Sequence, residues 1–317
     1  MEWVDEHVDL IDQTALPHQR RVALHTTAEV VDAIHRMVVR GAPALGAMGA
    51  LGVALAAARS AELGYDPDAV RTDARRITEA RPTAAHLGWA VQQVLPAVPR
   101  GPAAVLAAAQ ALVDADVRAC ATLSRLGAAL LRSYVGDRPM VLHTHCNAGA
   151  MACVEWGTAL GVVRALHADA LIKRVLVGET RPLLQGSRIT AFELAELGVP
   201  HQVVVDSAAA RAGIPFVVAA PTATIDVDTP TGSAVTIEYR DPDEVLLVGG
   251  WRMAPVESGA LNPAFDVTPA DLVTAIVTEA RVIEPARPTA STGVGHAVPM
   301  GVAHAVTVPA MRMVGAS

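Results

Sequence analysis

Apolar residues recur at the spacing of one helical face through much of the first 134 residues. Between residues 30 and 38 they fall three and four apart, which predicts an amphipathic helix. Thr26 and Glu29 precede that run with the spacing of a capping box. Asp66 and Pro67 mark the start of a second, charged helix. Together with the Ala- and Leu-rich stretches that follow, these signals predict a mainly helical region.

The pattern changes after residue 138, where short apolar runs alternate with helical segments. The predicted strands span residues 141–145, 175–178, 202–205 and 216–220, and a later helix is predicted at 270–279. Strands that alternate with helices are typical of a parallel, doubly wound sheet. We therefore predict an α/β protein with a helical N-terminal domain and a Rossmann-like, mainly parallel C-terminal domain. The predicted boundaries are 1–137 for the first domain, 138–285 for the second and 286–317 for a loosely ordered tail.

Composition and charge narrow the classes of function. The net charge of −7, the pI near 5.9 and the 3% of aromatic residues argue against a nucleic-acid partner, which needs clustered basic residues and stacking platforms. A long uncharged run at 42–58 is rich in Ala and Gly, so we expect a buried helix there and no membrane partner. Three cysteines without a CxxC pair, and an acidic N-terminus unlike a signal peptide, favour a reducing compartment, the cytoplasm.

Three chemically useful side chains directly follow predicted strands. Cys146 follows the first strand, Glu179 the second and Asp206 the third. Ligands of such sheets bind outside the carboxyl ends of the strands, so we expect a site at this edge. After Cys146 come a turn of small residues and an Ala-, Leu- and Val-rich stretch to about residue 166, which predicts a helix there. A thiol beside the first free N–H groups of a helix is activated by their partial positive charge. A lone buried cysteine is otherwise an ordinary small core residue, and that interpretation stays open at this point.

Two arginines stand beside breaks in the helical pattern. Arg40 precedes a Gly-Ala-Pro sequence, and Arg81 precedes Pro82. A guanidinium fixed in this way suits bidentate binding of a phosphate. The alternative for each is an ordinary surface arginine.

The connection between the third and fourth predicted strands is short. Only residues 207–215 are available, whereas a parallel crossover with its helix usually needs at least about ten to twelve residues. The sequence therefore predicts either a bare two-turn helix or the loss of a strand–helix unit that related proteins contain.

Several longer motifs occur in an order that resembles the methylthioribose-1-phosphate isomerase family. They are Leu-Ile-Asp-Gln at 10–13, Arg-Gly-Ala-Pro-Ala at 40–44, Arg-Pro-Thr-Ala at 81–84, Thr-His-Cys-Asn-Ala-Gly at 144–149, Glu-Thr-Arg-Pro at 179–182, Gln-Gly-Ser-Arg-Ile-Thr-Ala at 185–191 and Asn-Pro-Ala-Phe-Asp-Val-Thr-Pro at 262–269. The superfamily also includes ribose-1,5-bisphosphate isomerase and the regulatory subunits of a translation-initiation guanine-nucleotide exchange factor. The two arginine motifs favour the sugar-phosphate isomerase branch.

The resemblance implies an aldose–ketose isomerase that converts 5-methylthioribose 1-phosphate to 5-methylthioribulose 1-phosphate in methionine salvage. It implies a catalytic role for Cys146 and a homodimer, and no cofactor is expected. The residues that it places at the substrate phosphate are Arg40, Gly41, Ala42, Arg81 and Gln185. Phosphate on C1 prevents spontaneous ring opening, so the reaction needs a general acid and a group that assists hydrogen transfer from C2 to C1. An enediol and a hydride shift both remain open as routes.

The sequence departs from this family at the catalytic acid. Family members carry a Gly-Ala-Asp-Arg strand end, followed by Asn-Gly-Asp and Asn-Lys motifs, and none of these occurs here. They are expected between Asp206 and Ile214, within the short connection. Asp206 or Glu179 is then the candidate substitute acid, and Asp206 is nearer the gap. His86 and His143 stand where relatives usually have Asn and an apolar residue.

Two further interpretations follow from this gap. The protein is a non-catalytic paralogue that binds a sugar phosphate or a protein partner, or it is a defective copy whose incomplete sheet exposes an apolar edge. A metal site of His143, His145 and Cys146 is disfavoured because strand alternation turns Cys146 away from the two histidines. A Cys–His hydrolase is disfavoured for the same reason, and no third group is seen to orient the base.

Overall fold

The computed structural model describes residues 1–206, 215–226, 229, 231–265 and 267–284. The predicted tail at 286–317 and most of the short connection after Asp206 lie outside the described residues. The chain begins with a three-stranded antiparallel sheet. Its strands are β1 (Glu2–Val4), β2 (His7–Ile11) and β3 (Arg21–Leu24).

A helical region follows this sheet, as predicted. Its α-helices are α1 (Thr27–His35), α2 (Ala42–Glu62), α3 (Pro67–Glu79), α4 (Ala85–Val94) and α5 (Pro102–Val135). The capping box is confirmed, because the Thr26 hydroxyl accepts the Glu29 N–H at 3.2 Å and the Glu29 carboxylate accepts the Thr26 N–H at 3.0 Å. Asp66 caps α3 by accepting the Asp68 N–H. Local sequence therefore sets where these helices begin.

α2 lies at the centre of the helical region. Of the helices in the described part of the chain, α2 alone is long and apolar enough to cross a membrane. However, 78% of its most apolar 18-residue stretch is buried inside the fold. A Cβ added at Gly49 would come within 2.8 Å of Leu87, and one at Gly52 within 3.0 Å of Ile77. These glycines allow α3 and α4 to approach closely, so the expected buried, tightly packed helix is confirmed.

α5 joins the two parts of the chain. It has 34 residues and is about 51 Å long. Its N-terminal part packs Val105 and Ala109 into the helical core, whereas Leu123 and Ala128 pack against the strands that follow.

The second half contains the predicted alternation of strands and helices. In chain order its elements are β4 (Met140–Thr144), α6 (Ala150–Cys153), α7 (Ala159–Ala168), β5 (Ile172–Gly178), α8 (Ala191–Glu196), β6 (His201–Val204), β7 (Val217–Ala219), α9 (Asp243–Leu246), β8 (Leu247–Val248), β9 (Trp251–Arg252), β10 (Ala275–Val277) and β11 (Val282–Ile283). Strands β4, β5 and β6 pair in parallel in that order, with His143 opposite Leu176. The predicted parallel sheet is therefore present.

Two helix predictions are wrong. The helix expected after the small-residue turn that follows Cys146, up to about Leu166, is interrupted between α6 and α7, where Val154 has a φ of +71° that a helix does not allow. The helix expected at 270–279 is a short 3₁₀ turn followed by β10. The run Ala275–Val277 is wholly buried, and it forms a strand because β7 and β11 pair with it on both sides.

In the described part of the chain, the strands of this half form three separate sheets, which are β4–β5–β6, β11–β10–β7 and the two-stranded β8–β9. β7 and β10 pair in parallel, with β11 antiparallel on the outer edge. Among the described residues β4 pairs only with β5, and β7 pairs only with β10, so each keeps one unpaired edge. Met140 of β4 and Val277 of β10 nevertheless share one buried cluster with Leu123 of α5. α5 therefore packs against the β4–β5–β6 sheet and against the β11–β10–β7 sheet. No hydrogen-bonded strand pair links these two sheets in the described part of the chain.

Candidate functional site

Cys146 lies directly after β4, in a strained backbone conformation. Its φ of +60° is in the left-handed region, which non-glycine residues rarely adopt. Its N–H donates to the Thr180 hydroxyl at 2.8 Å, and Thr180, in the loop after β5, also has a positive φ of +63°. Two such residues in contact at the carboxyl ends of neighbouring strands are typical of a functional site.

The Cys146 thiol is 5% exposed and contacts two of the residues predicted from the sequence. The Gln185 amide nitrogen lies 3.3 Å from the sulfur, and Arg40 Nη2 lies 3.9 Å from it. Gln185 comes from the segment before α8, whereas Arg40 comes from just before α2. The structure thus brings together three candidate residues that lie up to 145 positions apart in the chain.

The N-terminus of α2 forms the second part of the site. Gly41 is the N-cap, with a φ of +99° and no side-chain cap, so the first N–H groups of this 21-residue helix have no capping side chain. A Cβ on Gly41 would also overlap Ala152 of α6, so only glycine fits. A helix N-terminus of this kind, which begins at Ala42, favours a bound anion.

Arg81 and Arg188 add positive charge around this helix end. Burial lowers the pKa of the Arg81 guanidinium; Glu238 opposes this shift, and the positive charges of Arg240 and Arg40 add to it. Burial also lowers the pKa of Arg188, and the charge of Arg40 contributes. The Arg40 charge therefore acts on both Arg81 and Arg188, and these guanidiniums form a region of positive potential suited to a phosphate dianion.

Two residues that sequence reasoning did not single out complete the surroundings. Gln13, 4% exposed, donates from its amide to the Met151 carbonyl at 2.8 Å. Glu193 of α8, 7% exposed, accepts the Ala150 N–H at 2.6 Å. Burial raises the pKa of the Glu193 carboxyl, although hydrogen bonds from Asn147, Ala150 and Met151 oppose the shift. Gln13 lies in the motif at 10–13 and Glu193 lies two residues after the motif at 185–191, so their nearness to these motifs is the sequence signal that could have identified them.

Asp206 lies at the same sheet edge but contacts the backbone rather than the thiol. One carboxylate oxygen accepts the Thr180 N–H and the other accepts the Arg181 N–H, each at 2.8 Å. His145 Nδ1 is 3.9 Å from Asp206 Oδ1. Glu179, the other candidate acid, is half-buried, and its N–H pairs with Val204 in the sheet. Asp206 therefore fixes the loop that holds the Cys146 N–H.

The remaining histidines do not assemble a metal site within the described residues, since no group of three His, Cys, Asp or Glu side chains is placed to bind an ion there. Burial lowers the pKa of His143, the charge of His145 adds to this effect and Asp206 opposes it. His86 is buried in the helical half, where its Nε2 lies 3.3 Å from Asp116. A Cβ added at Gly46 of α2 would overlap the His86 ring, so His86 packs against α2.

The fold and the site define an α/β protein in which a strand-end thiol faces an arginine-rich helix N-terminus. The chain belongs to the initiation factor 2 subunit family, whose model matches residues 38–212 and 208–285. It is 41% identical to the methylthioribose-1-phosphate isomerase of Pseudomonas aeruginosa, over 90% of this chain and 92% of that protein. It is also 41% identical to a probable bifunctional methylthioribose-1-phosphate isomerase/methylthioribulose-1-phosphate dehydratase of Nocardia farcinica, over 89% of this chain but only 58% of that relative.

Solved structures support the same grouping. The 5-methylthioribose 1-phosphate isomerase of Pyrococcus horikoshii superposes with a TM-score of 0.80 and 31% identity, over 90% of this chain and 92% of that one. A translation initiation factor eIF-2B subunit delta from A. fulgidus superposes with a TM-score of 0.78 and 35% identity, over 90% and 95% of the two chains. Both matches cover the helical and the strand regions described above.

Proposed function

We propose that this protein is a methylthioribose-1-phosphate isomerase, which converts 5-methylthioribose 1-phosphate to 5-methylthioribulose 1-phosphate in methionine salvage. The observation that carries the proposal is the Cys146 thiol held between Gln185 and Arg40. The 41% identity to isomerases over most of the chain gives independent support.

Phosphate binding is assigned to the helical half of the site. Arg40 and Arg81 supply charge, and the N–H groups that begin α2 at Gly41 and Ala42 supply hydrogen-bond donors. The Gln185 amide lies at the thiol, where it meets the sugar next to its phosphorylated carbon. These contacts fix the substrate with its reacting carbons over Cys146, which removes orientational freedom before the chemistry begins.

The reaction needs a proton at the ring oxygen and a transfer of hydrogen from C2 to C1. We assign Cys146, which is buried, to assist the hydrogen transfer, since exclusion of water protects such a step. Asp206 is our candidate for the acid that opens the ring, because it lies at the same strand edge and beside His145. Each of its oxygens accepts one backbone N–H and keeps a second lone pair, which can carry the proton.

The wider organisation is proposed on the same grounds. We assign a helical domain to residues 1–137 and a Rossmann-like domain to 138–285, with α5 packing against both. A homodimer and a cytoplasmic location are proposed from the family resemblance, and no nucleic-acid or membrane partner is proposed.

One observation favours a second candidate, a non-catalytic paralogue that binds a sugar phosphate. The family model matches in two blocks that meet at 208–212, within the short connection. The alignment with the Pseudomonas aeruginosa enzyme extends over 330 residues, whereas 90% of this 317-residue chain is about 285 residues. About 45 aligned positions therefore have no counterpart here. A strand–helix unit of about this size would carry the family's acid, so its loss would leave binding without turnover.

Turnover of 5-methylthioribose 1-phosphate by the purified protein, followed by phosphorus NMR, tests the proposal. We expect conversion to the ketose that Cys146→Ala abolishes and that Cys120→Ala, at a cysteine of α5, does not. Circular dichroism and binding of the substrate by calorimetry are measured on the same samples. A folded protein that binds the sugar phosphate without converting it would contradict the isomerase and support the paralogue. A protein that neither binds nor converts it would contradict both.

A further inference from the structure

Glu193 is a buried carboxylate for which the proposed chemistry gives no role. It is 7% exposed and has no arginine or lysine among its hydrogen-bond partners in the described structure. One of its oxygens accepts the Ala150 N–H at 2.6 Å. The other accepts the Asn147 amide at 2.8 Å and the Met151 N–H at 3.4 Å. The three donors lie in the loop after β4 and in the first turn of α6, in the segment from Cys146 to Met151. A buried charge is costly unless hydrogen bonds satisfy it, and these donors do so for Glu193.

A chain of hydrogen bonds links Glu193 to the Cys146 backbone through Asn147 and Thr190. The Thr190 hydroxyl donates to the Cys146 carbonyl at 2.6 Å, so its oxygen is left to accept from the Asn147 amide at 3.1 Å. The same amide nitrogen donates to Glu193 at 2.8 Å. Reversing the Asn147 side chain would turn its oxygen toward the carboxylate. Glu193 therefore fixes the orientation of Asn147, and Thr190 carries that restraint to the Cys146 backbone.

Two features of the surrounding backbone fit this role. A Cβ on Gly149 would overlap the Glu193 carboxylate, so the loop passes directly over it. The turn from Gly186 to Thr190 before α8 is π-helical, a distortion common at functional sites, and Gln185, at its N-cap, contacts the thiol. The same short segment thus positions Gln185, Thr190 and Glu193 around Cys146.

We infer that Glu193 is a positioning residue that holds the loop from Cys146 to Met151, and with it the thiol against Arg40 and Gln185. The kinetic part of this inference rests on the proposed isomerase function. The positional part does not, because it concerns the placement of the thiol alone.

Glu193→Gln is the direct test. A glutamine has one acceptor and one donor where the carboxylate has two acceptors, so its NH₂ must face either the Ala150 N–H or the Asn147 amide. The loop then loses one of its anchors while the volume of the side chain is unchanged. Glu196→Gln, on the exposed side of the same helix, is the matched control. Glu193→Asp keeps the charge and serves as a second variant if the glutamine variant does not fold.

Alkylation of Cys146 by iodoacetamide, followed peptide by peptide in the mass spectrometer, measures the placement of the thiol without any turnover. We expect Cys146 to react about tenfold faster in the Glu193→Gln protein than in the wild type, with Glu196→Gln unchanged. Cys120 of α5, which is fully buried, should stay protected and so reports that the fold is intact. A Cys146 that reacts at the wild-type rate in both Glu193 variants would overturn the inference.

The kinetic readout separates positioning from general stability. Because the phosphate contacts lie on α2 and at Arg81, we expect kcat to fall about 10- to 100-fold with KM within about twofold. A rise in KM with kcat unchanged would overturn the inference, because it would place the effect on substrate binding. If the wild type proves inactive, the alkylation result still decides the positional role, so the two proposals fail separately.

Discussion

The helical half and the strand half of this protein bury their apolar residues in different ways. In the first, one continuous cluster runs from Val8 in β2 to Ala109 in α5. In the second, the buried residues divide among smaller clusters, and the strands form three sheets with no ladder between β4 and β7 among the described residues. The site lies between these halves. The groups that we propose to bind phosphate stand on the continuous core, whereas Cys146 follows β4, which keeps an unpaired edge among the described residues.

This difference teaches that binding and chemistry depend on separate structural supports. Arg40 and Gly41 are fixed by α2, which is almost wholly buried. Cys146 depends on side chains from the loops after β5 and before α8, chiefly Thr180 and Thr190. Change in the strand half therefore affects the reaction before it affects phosphate binding.

Amide hydrogen exchange would test the comparison most directly. We expect amides of α2 to exchange at least about 100-fold more slowly than those of β4 and β7, because unpaired strand edges open without disrupting the helical core. The measurement is exchange by mass spectrometry, with the exposed helix α3 as an internal reference. Equal protection in α2 and β7 would mean that the two halves unfold as one unit and would remove the contrast.

Arg40→Ala should produce the next largest effect. Charge-assisted hydrogen bonds are worth about 1.5–3 kcal/mol, so we expect affinity for a sugar phosphate to fall about 10- to 100-fold. Arg36→Ala is the matched control, because Arg36 is exposed at the end of α1 and pairs only with Asp32 among the recorded ion pairs of the described chain. Isothermal titration with 5-methylthioribose 1-phosphate measures both. Unchanged binding in the Arg40 variant would place the phosphate elsewhere.

Asp206→Asn distinguishes a loop-fixing carboxylate from a general acid. Loss of one hydrogen bond to the Thr180 or Arg181 N–H should reduce kcat about tenfold through misplacement of the loop. Removal of a general acid commonly costs about 10²- to 10⁴-fold. A loss of that larger size, with the protein still folded, would identify Asp206 as the substitute acid. An unchanged kcat would exclude both roles.

The smallest effect concerns two buried carboxylates, one in each half, whose pKa values shift in opposite directions. Burial raises the pKa of Glu193 above its value in the unfolded chain, so the folded state holds more protons and the free energy of unfolding falls as pH rises through that window. Burial also acts to raise the pKa of Asp12, but hydrogen bonds from Thr14 and Arg20 outweigh it and lower the pKa. Asp12 therefore adds stability that is lost as pH falls through its folded-state pKa.

Urea unfolding between about pH 3 and 7 would measure both slopes. In the wild type, the free energy of unfolding should fall as pH rises above the ordinary pKa range of Glu, and Glu193→Gln should remove this fall. At lower pH the free energy of unfolding should rise with pH as Asp12 ionises, and Asp12→Asn should remove this rise. Slopes of the same sign for the two variants would contradict the opposite shifts.

Local signals predicted much of the fold. The capping residues Thr26, Glu29 and Asp66 act through contacts within three residues, so the sequence contains all that is needed to place those helix starts. The predicted strands at the site were also correct, because apolar runs followed by polar residues mark the ends of buried parallel strands. For the same reason Cys146, Asp206 and Glu179 could be placed at one sheet edge in advance.

Longer-range packing decided the remainder. Residues 275–277 are apolar enough for either a helix or a strand, and only pairing with β7 makes them a strand. The break between α6 and α7 depends on the left-handed Val154, which has no local signature. Glu193 looked like an ordinary helix carboxylate in the sequence, because its partners Asn147 and Ala150 lie more than 40 residues away.

The left-handed backbone at Cys146 sets stability against chemistry. A non-glycine residue at a φ of +60° raises the energy of the folded state, and glycine would adopt the same conformation without that penalty. The substitution that best relaxes this loop is therefore also the one that deletes the thiol. A laboratory evolution screen that rewards heat resistance alone would tend to select glycine at 146. Only a selection that also demands function would keep the cysteine.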